Sequence, residues 1–201
     1  MKTIRLFPLE LRRLLQSRPT WLILLLTVAS PVLGLTLYQP ASADTMLSLY
    51  LANPSIAGGA AGGILFGLLA VYELDRVGRS RADALMDAAV SPLTMALVRL
   101  LALLATAVMT VTLTMLVWLP ISMRLIGSVF GGVDYALAYL LLMGLALLLS
   151  IPAAAAAYQF TRRADLSIVL FAAFAALSLT VWADDWQLCW LNPCVWALSD
   201  D

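Results

Sequence analysis

The sequence predicts an all-α integral membrane protein, a single transmembrane domain over residues 1–201, and three observations predict it. The chain is 63% apolar and only 12% charged, with a mean hydropathy of +0.95, where a soluble domain carries about a quarter charged residues. Apolar runs of about 20 residues recur, each long enough to cross a hydrocarbon core roughly 30 Å thick. Basic residues gather beside those runs in three clusters: Lys2, Arg5, Arg12, Arg13 and Arg18 before the first, Arg76, Arg79, Arg81 and Arg99 around the second connection, and Arg162 with Arg163 in the fourth. By the positive-inside rule these clusters, and with them the N-terminus, are cytoplasmic. The short alternating segments of a β-barrel are absent.

Residues 1–18 place Ile4, Phe7, Leu11, Leu14 and Leu15 at helical spacing, with Arg5, Arg12, Arg13 and Gln16 mostly around the other side. This pattern suits an amphipathic helix lying in the headgroup region, limited or kinked by Pro8 and ended by Pro19. Span 1 covers about 20–38, with Trp21 at the inner interface and a kink near Pro31 and Gly34. The following "QPASAD" is similar to a signal-peptidase pattern, but the run from Trp21 to Leu37 exceeds an h-region of about 7–15 residues, so it reads as an uncleaved span. Span 2, about 55–72, carries Gly58, Gly59, Gly62, Gly63 and Gly67, four-residue spacings that bare one helix face for close packing in lipid. That face serves either packing within the chain or a dimer or substrate-path surface. Spans 3, 4 and 5 follow at about 93–119 (between Pro92 and Pro120), 134–158 and 166–183.

Residues 184–201 are aromatic and acidic, too short in apolar length to span, and read as an outer re-entrant or surface segment. Trp118, Trp182, Trp186, Trp190 and Trp196 form an outer interfacial belt. Cys189 and Cys194 flank the turn signal Asn192-Pro193. Facing an oxidising compartment they would form a disulfide; otherwise they are two free buried thiols.

Histidine is absent and Lys2 is the only lysine. A Ser-His-Asp triad and a zincin helix both need histidine, and a phosphate-binding P-loop needs a lysine after its glycines. The chain is therefore expected to be non-catalytic, with no metal site and no cofactor of its own. Asp134, Asp165 and Asp184 sit at the ends of spans, where solvent accounts for them better than a diaspartyl protease does. Eleven arginines spread over membrane-proximal sites do not make a nucleic-acid groove.

The stretch from Tyr72 to Pro92 breaks the pattern, gathering Glu73, Asp75, Asp83 and Asp87 with Arg76, Arg79 and Arg81 between two apolar spans. Ser80-Arg81-Ala82-Asp83 has the form of a capping box, and a short helix over 81–90 would set Ala84, Leu85, Ala88 and Ala89 on one side and Asp83 and Asp87 on the other. Ser91-Pro92 ends it and opens span 3. Its acids would repel anionic headgroups, so it suits a protein surface better than a lipid one. It reads as a docking helix for a cytoplasmic partner, with a solvated loop as the plainer alternative.

These features together resemble the permease subunit of a type-2 ATP-binding-cassette exporter. The resemblance rests on the leader "ELRRLLQSRPTWLILLL", the glycine-rich second span and "YELDRVGRSRADALMDAAVSPLTMALVRLLALL", where Glu73, Ser91-Pro92 and Arg99 match an acid after span 2, a Ser-Pro start to span 3 and a basic residue soon after. The tail's "LNPCVWAL" is similar to the outer segment before the family's last span. The resemblance implies an interfacial elbow helix, a coupling helix between spans 2 and 3, and six spans where five are read here: either a sixth lies beyond Asp201, or the chain is a shortened relative with its C-terminus outside. It also implies a second permease chain forming the substrate path as a homo- or heterodimer, and separate cytoplasmic P-loop ATPase subunits that bind ATP and Mg. Those partners, together with membrane lipid, would place the chain in a cell membrane, a bacterial inner membrane by the same resemblance. The coupling surface would comprise Glu73, Asp75, Arg76, Arg79, Arg81, Asp83, Leu85 and Asp87.

Two rivals stand beside this reading. A secondary transporter needs ionisable groups within the spans for ion coupling, and the span middles carry none. A non-transporting anchor or scaffold subunit would keep the docking helix without a path. Thr106, Thr110, Thr112 and Thr114, with methionines and aromatics, are what the spans offer a cargo, which points to a hydrophobic or amphipathic one.

Overall fold

The computed structural model describes residues 2–39, 45–79 and 92–178. Among them the chain is all-helical. Helix α1 (Lys2–Leu15) is followed by α2 (Arg18–Ala29), α3 (Val32–Thr36), α4 (Asn53–Arg79), α5 (Pro92–Ile126), α6 (Gly132–Leu137), α7 (Leu145–Thr161) and α8 (Ala164–Ser178). Wider, π-helical turns at Ser48–Ala52 and Ala138–Gly144 run directly into α4 and join α6 to α7. Four stretches are long and apolar enough to cross a membrane: Arg18–Thr36, Ser48–Arg76, Leu93–Val129 and Gly132–Thr161. The described part of the fifth predicted span, Ala164–Ser178, is shorter, and residues 179–183 lie outside the described residues. So do the outer tail and the Cys189–Cys194 pair.

The core is mainly apolar, and so is the surface, unlike that of a soluble bundle. Leu22, Leu25, Leu101, Leu116 and Phe160 are exposed, while Thr106, Thr110, Thr114 and Ser150 are buried. Water penalises such a surface and lipid does not, so this is the distribution a bilayer favours. The buried hydroxyls are satisfied within their own helices. Thr106 donates to Ala102 O, Thr110 to Thr106 O and Thr114 to Thr110 O, each at 2.8 Å, and Ser150 donates to Ala146 O at 2.7 Å.

Helix α4 is the centre of the bundle. Its span is 72% buried, against 33% for the first span, and it packs most extensively on α7. Glycine makes that approach possible. A Cβ at Gly59 would sit 2.7 Å from Leu142 O, one at Gly62 would meet Thr27 and Leu147, and one at Gly67 would enter the Phe171 ring. Gly58 lies against Pro31 and Met143, and Gly63 is buried on the same helix. The glycine face is thus filled by α2, α7 and α8 of the same chain.

Helix ends follow local chemistry. Ser17 caps α2, its Oγ accepting from Thr20 N at 3.4 Å, with Pro19 in the first turn. The first span breaks at Ser30–Pro31. Pro31 has no N–H to offer Thr27 O, and Ser30 supplies both its N–H (3.3 Å) and its Oγ (2.7 Å) instead. Pro8, Pro120 and Pro152 all lie inside continuous helices. Past the boundary expected for span 3 at Pro120 the helix itself runs on: α5 continues to Ile126 and stops where Gly127 takes φ +65°. In an apolar surrounding no water competes for the helix's other carbonyls, so one missing donor does not end it. Span 2 likewise continues as helix past Tyr72 to Arg79. Arg162, at φ 52°, closes α7, and Thr161 Oγ1 meets Ser167 Oγ at 2.6 Å across the turn into α8.

Two tryptophans stand differently from one another. Trp21 is half exposed and donates to Leu15 O at 2.7 Å, covering a terminal carbonyl of α1. Trp118, expected in an interfacial belt, is buried and donates to Val28 O at 2.8 Å, tying α5 to α2. Its indole N–H finds a carbonyl beside the Pro31 break, an inward partner that an outer belt position lacks.

Candidate functional site: an ion-pair cluster joining α1, α4 and α5

The spans alternate in direction, so one end of the bundle collects α1, the end of α4, the start of α5 and the α7–α8 turn. This end carries Arg13, Arg76, Arg99, Arg162 and Arg163, and is called the basic end below. At it, five charged side chains from three helices meet.

Glu73, in the last turns of α4, is only 3% exposed, and Glu10 of α1 is 7% exposed. Carboxylates buried to that degree need partners, because desolvating an unpaired charge is prohibitive. Arg13 supplies one to both: its Nη2 donates to Glu73 Oε2 at 2.7 Å and its Nε to Glu10 Oε2 at 2.5 Å. Arg99, near the start of α5, brings its Nε to 3.6 Å from Glu10 Oε1. Arg76, one turn beyond Glu73, brings Nη1 to 3.8 Å from Glu73 Oε1. Burial pulls the Arg13 guanidinium down, but the hydrogen bonds and charges of Glu10 and Glu73 outweigh it and hold the group above its ordinary value. Three arginines against two glutamates leave the cluster at a net charge of +1.

The sequence presents each helix for this role. In α1, Phe7, Leu11 and Leu14 pack into the core, and Glu10 and Arg13 share that face at i+3 and i+6 from Phe7. Helix α1 packs along α5 through it. Arg13, expected on the outer basic side, turns inward because two buried carboxylates lie there. A guanidinium, with five donors in a fixed fork, can serve both at once where an ammonium would serve one well.

Of the predicted docking residues, Glu73 faces inward to Arg13 instead of outward. Asp75 is half-buried on α4, and Arg76 is 45% exposed while still paired with Glu73. The side chain of Arg79, and Arg81, Asp83, Leu85 and Asp87 altogether, lie outside the described residues. Sequence reading missed Glu10. The available signal was an acid at helical spacing among Phe7, Leu11 and Leu14, on the face that buries. Glu73 and Arg99, singled out separately by resemblance, are brought to a common cluster through Glu10 and Arg13.

Chemically the cluster offers two carboxylates, each facing guanidinium groups from more than one position. No known protein family, curated protein or solved structure matches the chain.

Proposed function

We propose that this chain is the membrane-spanning permease subunit of an ATP-driven exporter, paired with a second permease chain and with separate P-loop ATPase subunits. The observation that carries the reading is the buried Arg13–Glu73 pair. It fastens the amphipathic helix to the end of α4, at the start of the proposed 73–91 coupling segment and eight residues before its short helix over 81–90 begins. A pull on that segment would reach α4 and α1 together, as a rigid lever and not as a loose linker. Such a device suits a subunit driven by an external motor, whose two states must differ in their contacts with it. The resemblance of the 72–104 stretch to the coupling region of type-2 exporters supports the same reading.

Among the described residues no charged side chain lies in the middle of a span, and the buried threonines of α5 bond to their own helix. That distribution suits a hydrophobic or amphipathic cargo and disfavours ion coupling. It also suits one alternative, a non-transporting anchor subunit, which would need the partner contact and no path.

Purification from the native membrane in gentle detergent, with mass spectrometry of the companions, separates the two. A stoichiometric P-loop ATPase, lost when Leu85→Asp is introduced, supports the exporter subunit. Companions without any ATPase, at every detergent strength, overturn it in favour of the anchor.

A further inference from the structure

An open cleft of about 180 Å³ lies between α4, α5 and α7 at the basic end, walled by Leu74, Leu97, Leu100, Ala155, Ala156 and Gln159. Its origin is in the packing. Helix α4 leans on α7 through its glycines and α5 leans on α1, so α4 and α5 touch little. The small side chains of α7 then leave the gap unfilled. All but one of the walls are hydrocarbon, and every residue belongs to a candidate membrane span. An enclosed void of ~150 Å³ lined by aliphatic groups takes a benzene-sized ligand, and the same apolar lining makes this open cleft favour hydrocarbon over water.

The sequence supplies charge a few residues from the wall. Gln159 is the polar member of the wall, and Arg162 and Arg163 follow within about one turn at the end of α7, both exposed. Asp165 opposes them two residues later, which leaves this corner at +1. The ion-pair cluster on the neighbouring helices is itself at +1, and Asp75, beside Leu74 on α4, is the further acid at this end among the described residues.

We propose that the cleft is a binding site for one anionic phospholipid, an acyl chain lying between α4, α5 and α7 and the headgroup held by Gln159, Arg162 and Arg163. The site depends on the chain lying in a membrane, and stands whether or not an ATPase partners it. An arginine near an anionic surface favours binding about fivefold, and the net charge of this corner sets the expected preference at that size.

The full chain is reconstituted in nanodiscs of equal phosphatidylcholine and phosphatidylglycerol, and lipids retained after release are counted by native mass spectrometry. The unaltered protein is expected to keep one lipid, enriched about fivefold in phosphatidylglycerol. Ala156→Phe, which fills the cleft from a lipid-facing position, should lose it. Arg162→Asn with Arg163→Gln should keep the lipid and lose the enrichment; asparagine is chosen because it tolerates the left-handed backbone at 162. Retention unchanged by Ala156→Phe overturns the cleft as the site, and enrichment unchanged by the arginine variant overturns the headgroup contact. Should Ala156→Phe fail to insert, Ala96→Leu fills the same cleft from α5 and decides the question alike. Neither failure touches the ATPase pull-down, which tests the proposed function separately.

Discussion

Arg13 Nη2 donates to Glu73 Oε2 at 2.7 Å, joining residues sixty positions apart and fixing the amphipathic helix to the central span. Removing the guanidinium leaves two carboxylates buried without their shared partner. Breaking a buried pair from one side costs about 3–5 kcal/mol, and the partial exposure of Arg13 sets the expectation near the lower end. Arg13→Met should therefore lower the detergent melting temperature sharply, and Arg13→Lys should recover only part of the loss. A double-mutant cycle with Glu73→Gln measures the coupling directly; an additive cycle would show that the pair contributes nothing. Because the Arg13 value is raised, its charge contributes stability that is fully present below the ordinary guanidinium range and lost only above it. A melting scan over about pH 6 to 9 should show no step from this group.

Gly59 and Gly132 give a matched test of the central packing. A methyl group at Gly59 meets the backbone oxygen of Leu142 at 2.7 Å, which no side-chain rotation can relieve. One at Gly132 meets nothing within 4 Å. Gly59→Ala should destabilise by about 1–3 kcal/mol through overpacking. Gly132→Ala should lie within about 0.5 kcal/mol of the parent, as surface changes do. Equal melting temperatures for the two variants would mean that α4 and the Ala138–Gly144 turn do not approach as closely as the structure has them.

Thr106, Thr110 and Thr114 form a buried stripe on α5 whose hydroxyls all donate to carbonyls of their own helix. Such bonds leave the stripe as packing surface and not as cargo lining. The triple change to valine keeps the shape and removes three hydroxyls, each worth about 0.6 kcal/mol in a membrane interior. We expect modest loss of stability and unchanged transport in reconstituted vesicles. A collapse of transport with normal insertion would make the stripe part of the path.

The helices were legible from sequence because a bilayer demands long apolar runs, and the break at Ser30–Pro31 because proline removes a donor at a fixed place. The extent of α5 was not legible from Pro120. The stop depends on Gly127 adopting φ +65°, and a lone proline does not end a helix surrounded by apolar neighbours. Trp118 was misplaced because composition gives depth along a helix but not which way a ring turns. The ion-pair cluster was half visible. Glu73 and Arg99 stood out beside apolar spans, whereas Glu10 was missed and Arg13 was sorted onto the polar face, since no local rule says that an acid sixty residues away will claim it.

The lever reading makes a last prediction, on the partnered complex. If the Arg13–Glu73 pair carries motion from the docking segment into the spans, weakening it should separate ATP hydrolysis from transport without detaching the ATPase. Arg13→Gln is the gentler variant for this test, since it retains donors to one carboxylate. With the ATPase still bound, cargo-stimulated hydrolysis and vesicle transport should both fall while basal hydrolysis stays near the parent. Leu85→Asp and Asp87→Arg, in the proposed contact itself, should instead abolish stimulation without lowering membrane insertion. If Arg13→Gln lost the ATPase altogether, α1 would be part of the docking surface and not a lever behind it. If stimulation survived all three changes, the 73–91 segment would not be where the motor engages.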